Sequence, residues 1–144
     1  MNTEYQHGEF SIRTDREKLN IDFIQDYLCH QSYWAQGRSH EDVEKSIQNS
    51  LCFGLFEGER QIGFARVVTD YITFAWLCDV FIAESYQGQG LGKWLIESVV
   101  SHPDMEAVKY IMLATSDAHE LYRKYGGFKA PRATDKWMVR YKGK

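Results

Sequence analysis

Ile72-Thr73-Phe74-Ala75-Trp76-Leu77-Cys78-Asp79-Val80-Phe81-Ile82 leads, through Ala83-Glu84-Ser85-Tyr86, into Gln87-Gly88-Gln89-Gly90-Leu91-Gly92 and then Lys93-Trp94-Leu95-Ile96-Glu97-Ser98-Val99-Val100. The first apolar run reads as a buried strand, the polar bend and glycines as a turn, and the last segment as a helix. Such a unit is suited to an anion. The first N–H groups of a helix lack partners inside the helix, and the dipole places partial positive charge there. Glycines let a phosphate approach that backbone closely. Two common phosphate motifs do not fit. A P-loop requires Ser or Thr after its lysine, and Lys93 is followed by Trp94. The dinucleotide fingerprint requires Gly-x-Gly-x-x-Gly after an early strand, whereas glycines 88, 90 and 92 alternate and sit past the middle of the chain.

The pattern that does fit is Gln87-x-x-Gly90-x-Gly92. It resembles the signature of the GCN5-related N-acetyltransferase (GNAT) family, in which this turn holds the coenzyme A pyrophosphate. Downstream, Ala118-x-x-Leu121-Tyr122-x-Lys124-x-Gly126-Gly127-Phe128 is similar to the family's later segment, with one extra glycine before the phenylalanine. The resemblance spans residues 74–128. It implies acetyl-CoA as co-substrate. It also implies that the fourth and fifth strands run parallel and splay apart, opening a cleft for the pantetheine arm.

Elsewhere the chain supplies the rest of a single domain over 1–144. Residues 1–8 are polar and read as frayed, and Phe10-Ser11-Ile12-Arg13 alternates as a first strand. Ile21, Ile24 and Leu28 recur at helical spacing. Ser39 and Asp42 mark the start of a second helix that buries Val43 and Ile47. Leu51–Phe56 and Arg60–Val68 flank Glu57-Gly58-Glu59 as a hairpin. After the glycine turn, Leu91, Trp94, Leu95 and Val99 share a helix face that ends at Pro103. A strand over 109–115 follows. Asp117, with Glu120 three residues on, reads as the cap of a short helix that Gly126-Gly127 ends. Lys136–Tyr141 alternates as a final strand. This order predicts an α/β (α+β) fold, with a mixed, mainly antiparallel central sheet flanked by helices.

Composition narrows the partners. Apolar residues make up 44% of the 144 and aromatic ones 15%, enough for a substantial core. The net charge of −3 and the absence of a basic run argue against nucleic acid or an anionic membrane as the main partner. Cys29, Cys52 and Cys78 read as core thiols of a reducing compartment. No leader pattern opens the chain and no apolar stretch reaches the roughly 18 residues of a spanning helix, so the cytoplasm is the expected location. No cysteine or histidine spacing suggests a metal. A monomer or a homodimer is expected.

Acetyl transfer to an amine needs the donor held in place, a proton removed from the amine and a proton for the departing thiol. By the resemblance, the backbone of Val80, Phe81 and Ile82 binds pantetheine. Gln87, Gly88, Gln89, Gly90, Leu91, Gly92 and Lys93 bind the pyrophosphate, and Tyr122 protonates the sulfur. Asp79 is the one charged residue between Tyr71 and Glu84, on the face opposite Val80 and Ile82. It is a candidate base, and pairing with Arg66 or a backbone bond are its alternatives. His30 and His119 are other candidate bases. Cys78 points away from Asp79 by alternation, which disfavours an acyl-cysteine route. Tyr33, Trp34, Arg38 and Trp76 are expected to line the acceptor pocket. Arg38 suits an acceptor with a carboxylate or phosphate. The activity expected is transfer to a primary amine of a small molecule or protein. A non-catalytic acyl-CoA-binding sensor is the alternative, needing the glycine turn but neither Tyr122 nor Asp79.

Overall fold

A computed structural model describes residues 2–143. Six strands form one sheet in sequence order: β1 Glu4–His7, β2 Phe10–Arg13, β3 Leu51–Glu57, β4 Arg60–Thr69, β5 Ala75–Ile82 and β6 Ile111–Met112. Each neighbouring pair is antiparallel except β5 and β6, which are parallel. Helices α1 (Ile21–His30) and α2 (His40–Gln48) cover one face, and α3 (Leu91–Val100) and α4 (His119–Gly126) the other.

Two apolar clusters hold these layers together. Ile24, Leu28, Val43 and Ile47 pack on Cys52, Phe64 and Phe81. Leu91, Leu95, Ile96 and Val99 pack with Tyr122 on Phe53, Leu55, Ile62, Val67 and Leu77. The helix starts follow local chemistry. Ser39 Oγ accepts from Asp42 N–H at 3.1 Å, as its sequence pattern predicts, and Asn20 Oδ1 caps α1 through Phe23 N–H at 3.0 Å.

Four sequence expectations are corrected. The polar opening stretch is not frayed: Glu4–His7 is an edge strand paired with β2, and Tyr5 packs on the larger cluster. The central strand starts at Ala75, because the Asp70 carboxylate accepts from the N–H groups of Ile72 and Thr73 and holds that segment as a turn. Asp117 does not cap α4. The cap position is Ala118, with no side-chain bond. Lys136–Tyr141 is not a strand. Its alternation finds no ladder partner among the described residues, and Met138 is 94% exposed.

The feature that positions the site is the gap between β5 and β6. They pair only at Ala75↔Ile111 and Trp76↔Met112, yet β5 continues to Ile82. From Leu77 onward that edge of β5 has no ladder partner among the described residues.

Candidate active site

Two cavities meet in this gap. The first, about 540 Å3, runs along the glycine turn. Its walls include Val80, Phe81 and Ile82 of β5, then Gln87, Gly88, Gly90, Leu91, Gly92 and Lys93. Of the residues expected to hold the coenzyme, only Gln89 is not part of this wall. The second, about 430 Å3, lies toward α1 and brings together Tyr33, Trp34, Arg38 and Trp76 with Arg66, Asp79 and Tyr122. Tyr33, Trp34, Val80, Asp117, Ala118 and Tyr122 line both.

The turn is built for close approach. Gly88 and Gly90 have φ of +83° and +80°, and nothing lies within 4 Å of a Cβ placed on either. Gly90 is the N-cap of α3 and supplies no side-chain cap. The first recorded bond of the helix is Trp94 N–H to Gly90 C=O at 3.1 Å, so the N–H groups of Leu91, Gly92 and Lys93 have no recorded partner among the described residues. Gln87 Nε2 donates to Ile82 C=O at 2.9 Å and ties the turn to the end of β5. The Lys93 ammonium lies 5.1 Å from the centre of the Tyr125 ring.

In the second cavity Asp79 is the hub. A bulge opposite Ala65 puts it at φ +52°, a backbone that aspartate and asparagine tolerate better than most residues. The bulge shifts the alternation of β5. Leu77, Val80 and Ile82 all face the α3 side, while Cys78, paired with Arg66, and Asp79 face the α1 side. Cys78 and Asp79 therefore share a face, which corrects the expectation that they diverge. Strand periodicity carries no signal for an inserted residue.

The Asp79 side chain is only 2% exposed. Its Oδ1 accepts from Trp34 Nε1 at 2.9 Å. Its Oδ2 accepts from Arg38 Nη1 at 2.7 Å and Arg66 Nε at 2.8 Å. Arg66 Nη1 also reaches Ser50 Oγ at 3.0 Å. The pairing with Arg66, one of the sequence alternatives, is thus present, and Trp34 and Arg38 join it from the loop after α1. That loop is fixed at a second point, where Tyr33 Oη accepts from Ser116 N–H at 2.9 Å across the gap. The same bond lowers the Tyr33 pKa.

Tyr122, on α4, is buried in the larger cluster and T-stacks on Phe128 at 5.8 Å. The side chain borders both cavities. Burial pushes its pKa up to about 12, with Tyr33 and Asp117 adding to the rise. Burial likewise pushes the Cys78 thiol up to about 11, which keeps it protonated and poorly nucleophilic at neutral pH. His30, His119 and Glu84 line neither cavity's shared wall. Asp117 does, and sequence reading missed it because its spacing to Glu120 imitates a capping box.

Known proteins agree with this architecture. The family described as the acetyltransferase (GNAT) family matches residues 11–128. A Gibberella zeae protein named as an acetyltransferase is 29% identical over 154 aligned positions, covering 91% of this chain and 85% of that protein. A GNAT-family protein of Xanthomonas campestris has a crystal structure that superposes with a TM-score of 0.89 at 41% identity, covering 94% of each chain. A Clostridium acetobutylicum protein solved with acetyl-CoA superposes at 0.68 and 14% identity, over 98% of this chain and 96% of that one; at that identity the likeness is one of fold.

Proposed function

Because the chain belongs to the acetyltransferase (GNAT) family and is an enzyme of acetyl transfer, we propose that it is an acetyl-CoA-dependent N-acetyltransferase that acetylates the amine of a small molecule by direct attack in a ternary complex. The observation that carries this reading is the wall at Val80, Asp117, Ala118 and Tyr122, common to a cleft along the glycine turn and to a separate polar pocket. A donor and an acceptor entering from opposite sides would meet there.

The cleft suits the coenzyme on its own chemistry. Open space over Gly88 and Gly90, together with uncommitted N–H groups at the start of α3, is what a diphosphate requires. The unpaired edge of β5 offers N–H and C=O groups to the amides of a pantetheine arm, as an added strand would use them. When bound, acetyl-CoA supplies the acyl group as an activated thioester.

The chain's own residues would then position and protonate. Burial raises the Tyr122 pKa to about 12, so the hydroxyl is protonated near neutral pH and has a proton to give to the departing sulfur. Overall, one N–C bond forms and one C–S bond breaks. The ammonium loses one proton to solvent before attack; after attack the nitrogen loses a second, which replaces the proton that Tyr122 gives to the sulfur, so one proton is released in all. The cavity of about 430 Å3, with the bonded pair Tyr33 and Ser116 in its wall, matches a small acceptor. Asp79 is assigned a positioning role in place of the base role, since both its oxygens are already engaged by Trp34, Arg38 and Arg66.

Thiol release from acetyl-CoA over a panel of primary amines tests the proposal. Tyr122→Phe removes only the hydroxyl and keeps the ring in its apolar cluster against Phe128, so coenzyme binding and folding should persist. Turnover should fall by about 10²- to 10⁴-fold. Coenzyme binding without acetylation of any amine, or wild-type turnover by Tyr122→Phe, would overturn it.

A further inference from the structure

The charges of the acceptor pocket are arranged end to end. At one end, two guanidinium groups share the single buried carboxylate of Asp79, which leaves one positive charge in excess. Arg38 commits one Nη1 to Asp79, and its other N–H groups have no recorded acceptor among the described residues. Its side chain is 26% exposed and lines the cavity, as does Arg66 at 13%. A planar fork with free N–H groups is matched to a carboxylate or phosphate edge. Asp79 holds that fork at a fixed angle, so little side-chain entropy remains to be lost on binding.

At the other end stands Asp117. It is exposed and lines the wall common to both cavities, as do Tyr33 and Tyr122. It makes no helix cap, and its recorded side-chain partner is Thr115 alone. An ammonium held by Asp117 would lie at the wall next to Tyr122. Between the two ends, Trp34, fixed by its Nε1 bond to Asp79, meets Tyr33 edge-on at 5.1 Å, and Trp76 adds a further apolar surface.

We propose that the acceptor is a dipolar small molecule, an amine that carries its own anionic group, with Arg38 and Arg66 receiving the anion and Asp117 the ammonium. This rests on the acetyltransferase reading above and adds the substrate class to it. A carboxylate, as in an amino acid, and a phosphate, as in an aminoalkyl phosphate, are the two sources of that anion.

The test uses matched acceptors: an amino acid, its carboxamide, the amine lacking the acid group and the corresponding aminoalkyl phosphate, over several chain lengths. For the wild-type protein, kcat/KM for the best anionic acceptor should exceed that of its neutral counterpart by about ten- to a hundredfold, the worth of one charge-assisted bond. Whichever anion gives the larger ratio identifies the source. In Arg38→Gln that ratio should collapse toward one through KM, with Asp79 still held by Arg66 and Trp34, and Arg38→Lys should restore part of it. Asp117→Asn should weaken every amine acceptor, anionic or neutral. Thermal shift of the unreacted protein gives a readout apart from turnover: the anionic member of a pair should raise Tm more than the neutral one, and should do so less in Arg38→Gln. Acetylation of anionic and neutral members at equal kcat/KM, with equal thermal shifts, overturns this proposal and leaves the acetyltransferase reading standing. Failure to acetylate any amine with coenzyme bound overturns that reading itself.

Discussion

Replacing Asp79 with asparagine separates the two roles open to this residue. Asparagine is almost the same size and also tolerates the left-handed backbone, so the bulge at φ +52° survives. Alanine would add backbone strain of about 1–2 kcal/mol and confuse the result. What asparagine removes is charge. The carboxylate, 2% exposed, faces guanidinium groups 2.7 and 2.8 Å away that are themselves 26% and 13% exposed. Deleting one partner of a buried ion pair costs about 3–5 kcal/mol, because the remaining charge is left uncompensated. Trp34 keeps its acceptor if the amide oxygen turns toward it, so the indole bond does not add to this cost. Against a total stability of about 5–15 kcal/mol the loss is large. At about 3 °C per kcal/mol for a chain of this length, Tm should fall by about 9–15 °C in a melt followed by circular dichroism. KM for the acceptor should rise as Arg38 loses its anchor. Adding Arg38→Gln to Asp79→Asn should recover part of the stability, since the double variant no longer leaves two positive charges facing each other. A base would behave otherwise, with turnover abolished and Tm unmoved. A Tm within about 3 °C of wild type, together with lost turnover, would show that Asp79 carries the proton and that the anchor assignment is wrong.

Gly90→Asp should reduce coenzyme affinity by at least about a hundredfold in calorimetry, because it places a carboxylate in the open space over the α3 turn and forces an L-residue to φ +80°; retained tight binding would place the diphosphate elsewhere. His102 offers a pH test of stability. It is 2% exposed, accepts from Asp104 N–H on Nδ1 and meets the Phe53 ring edge-on at 5.3 Å, and burial lowers its pKa. Since the unfolded chain binds the proton more readily, the urea midpoint should hold steady above pH 7 and fall as pH drops below the ordinary imidazole value of about 6.5. His102→Gln should flatten that slope, and an unchanged slope would count against a buried neutral ring.

Periodicity and turn chemistry carried most of the fold. The hairpin over 51–68, the Ser39 cap and the strand–glycine–helix unit are where residue patterns alone put them, because each is specified by neighbours along the chain. Misreadings occurred where a partner distant in sequence decides. Glu4–His7 is polar and becomes a strand only because β2 offers it an edge. Lys136–Tyr141 alternates as a strand should, yet no neighbouring strand pairs with it among the described residues. At the site, Tyr33, Trp34, Arg38 and Trp76, expected together from the sequence, line one cavity. What the pattern could not convey is that a bulge turns Asp79 toward Arg38, or that Asp117 faces the wall shared with the cleft instead of capping α4.

The two halves of the site are built from different materials, and this separates what each can vary. In the proposed complex the cleft along α3 and the β5 edge would recognise through main-chain N–H and C=O groups, so its requirement on sequence is permission: glycine at 88 and 90, and no strand paired on the β6 side of Val80 to Ile82. The proposed acceptor pocket would recognise through side chains, among them Tyr33, Trp34 and Arg38 of the loop after α1, which Asp79 and Ser116 hold in place. A change at Arg38, which lines the acceptor pocket and not the cleft, should therefore alter which amine is admitted without touching the glycine turn, whereas Tyr33 and Trp34 border both. Asp79 borders both halves: the β4–β5 bulge that aims its carboxylate at the loop lies one residue before Val80, on the strand whose other edge β6 leaves open. Losing that carboxylate should loosen acceptor selection first and donor binding last, an order that parallel titrations of the Asp79→Asn protein with coenzyme and with acceptor would reveal.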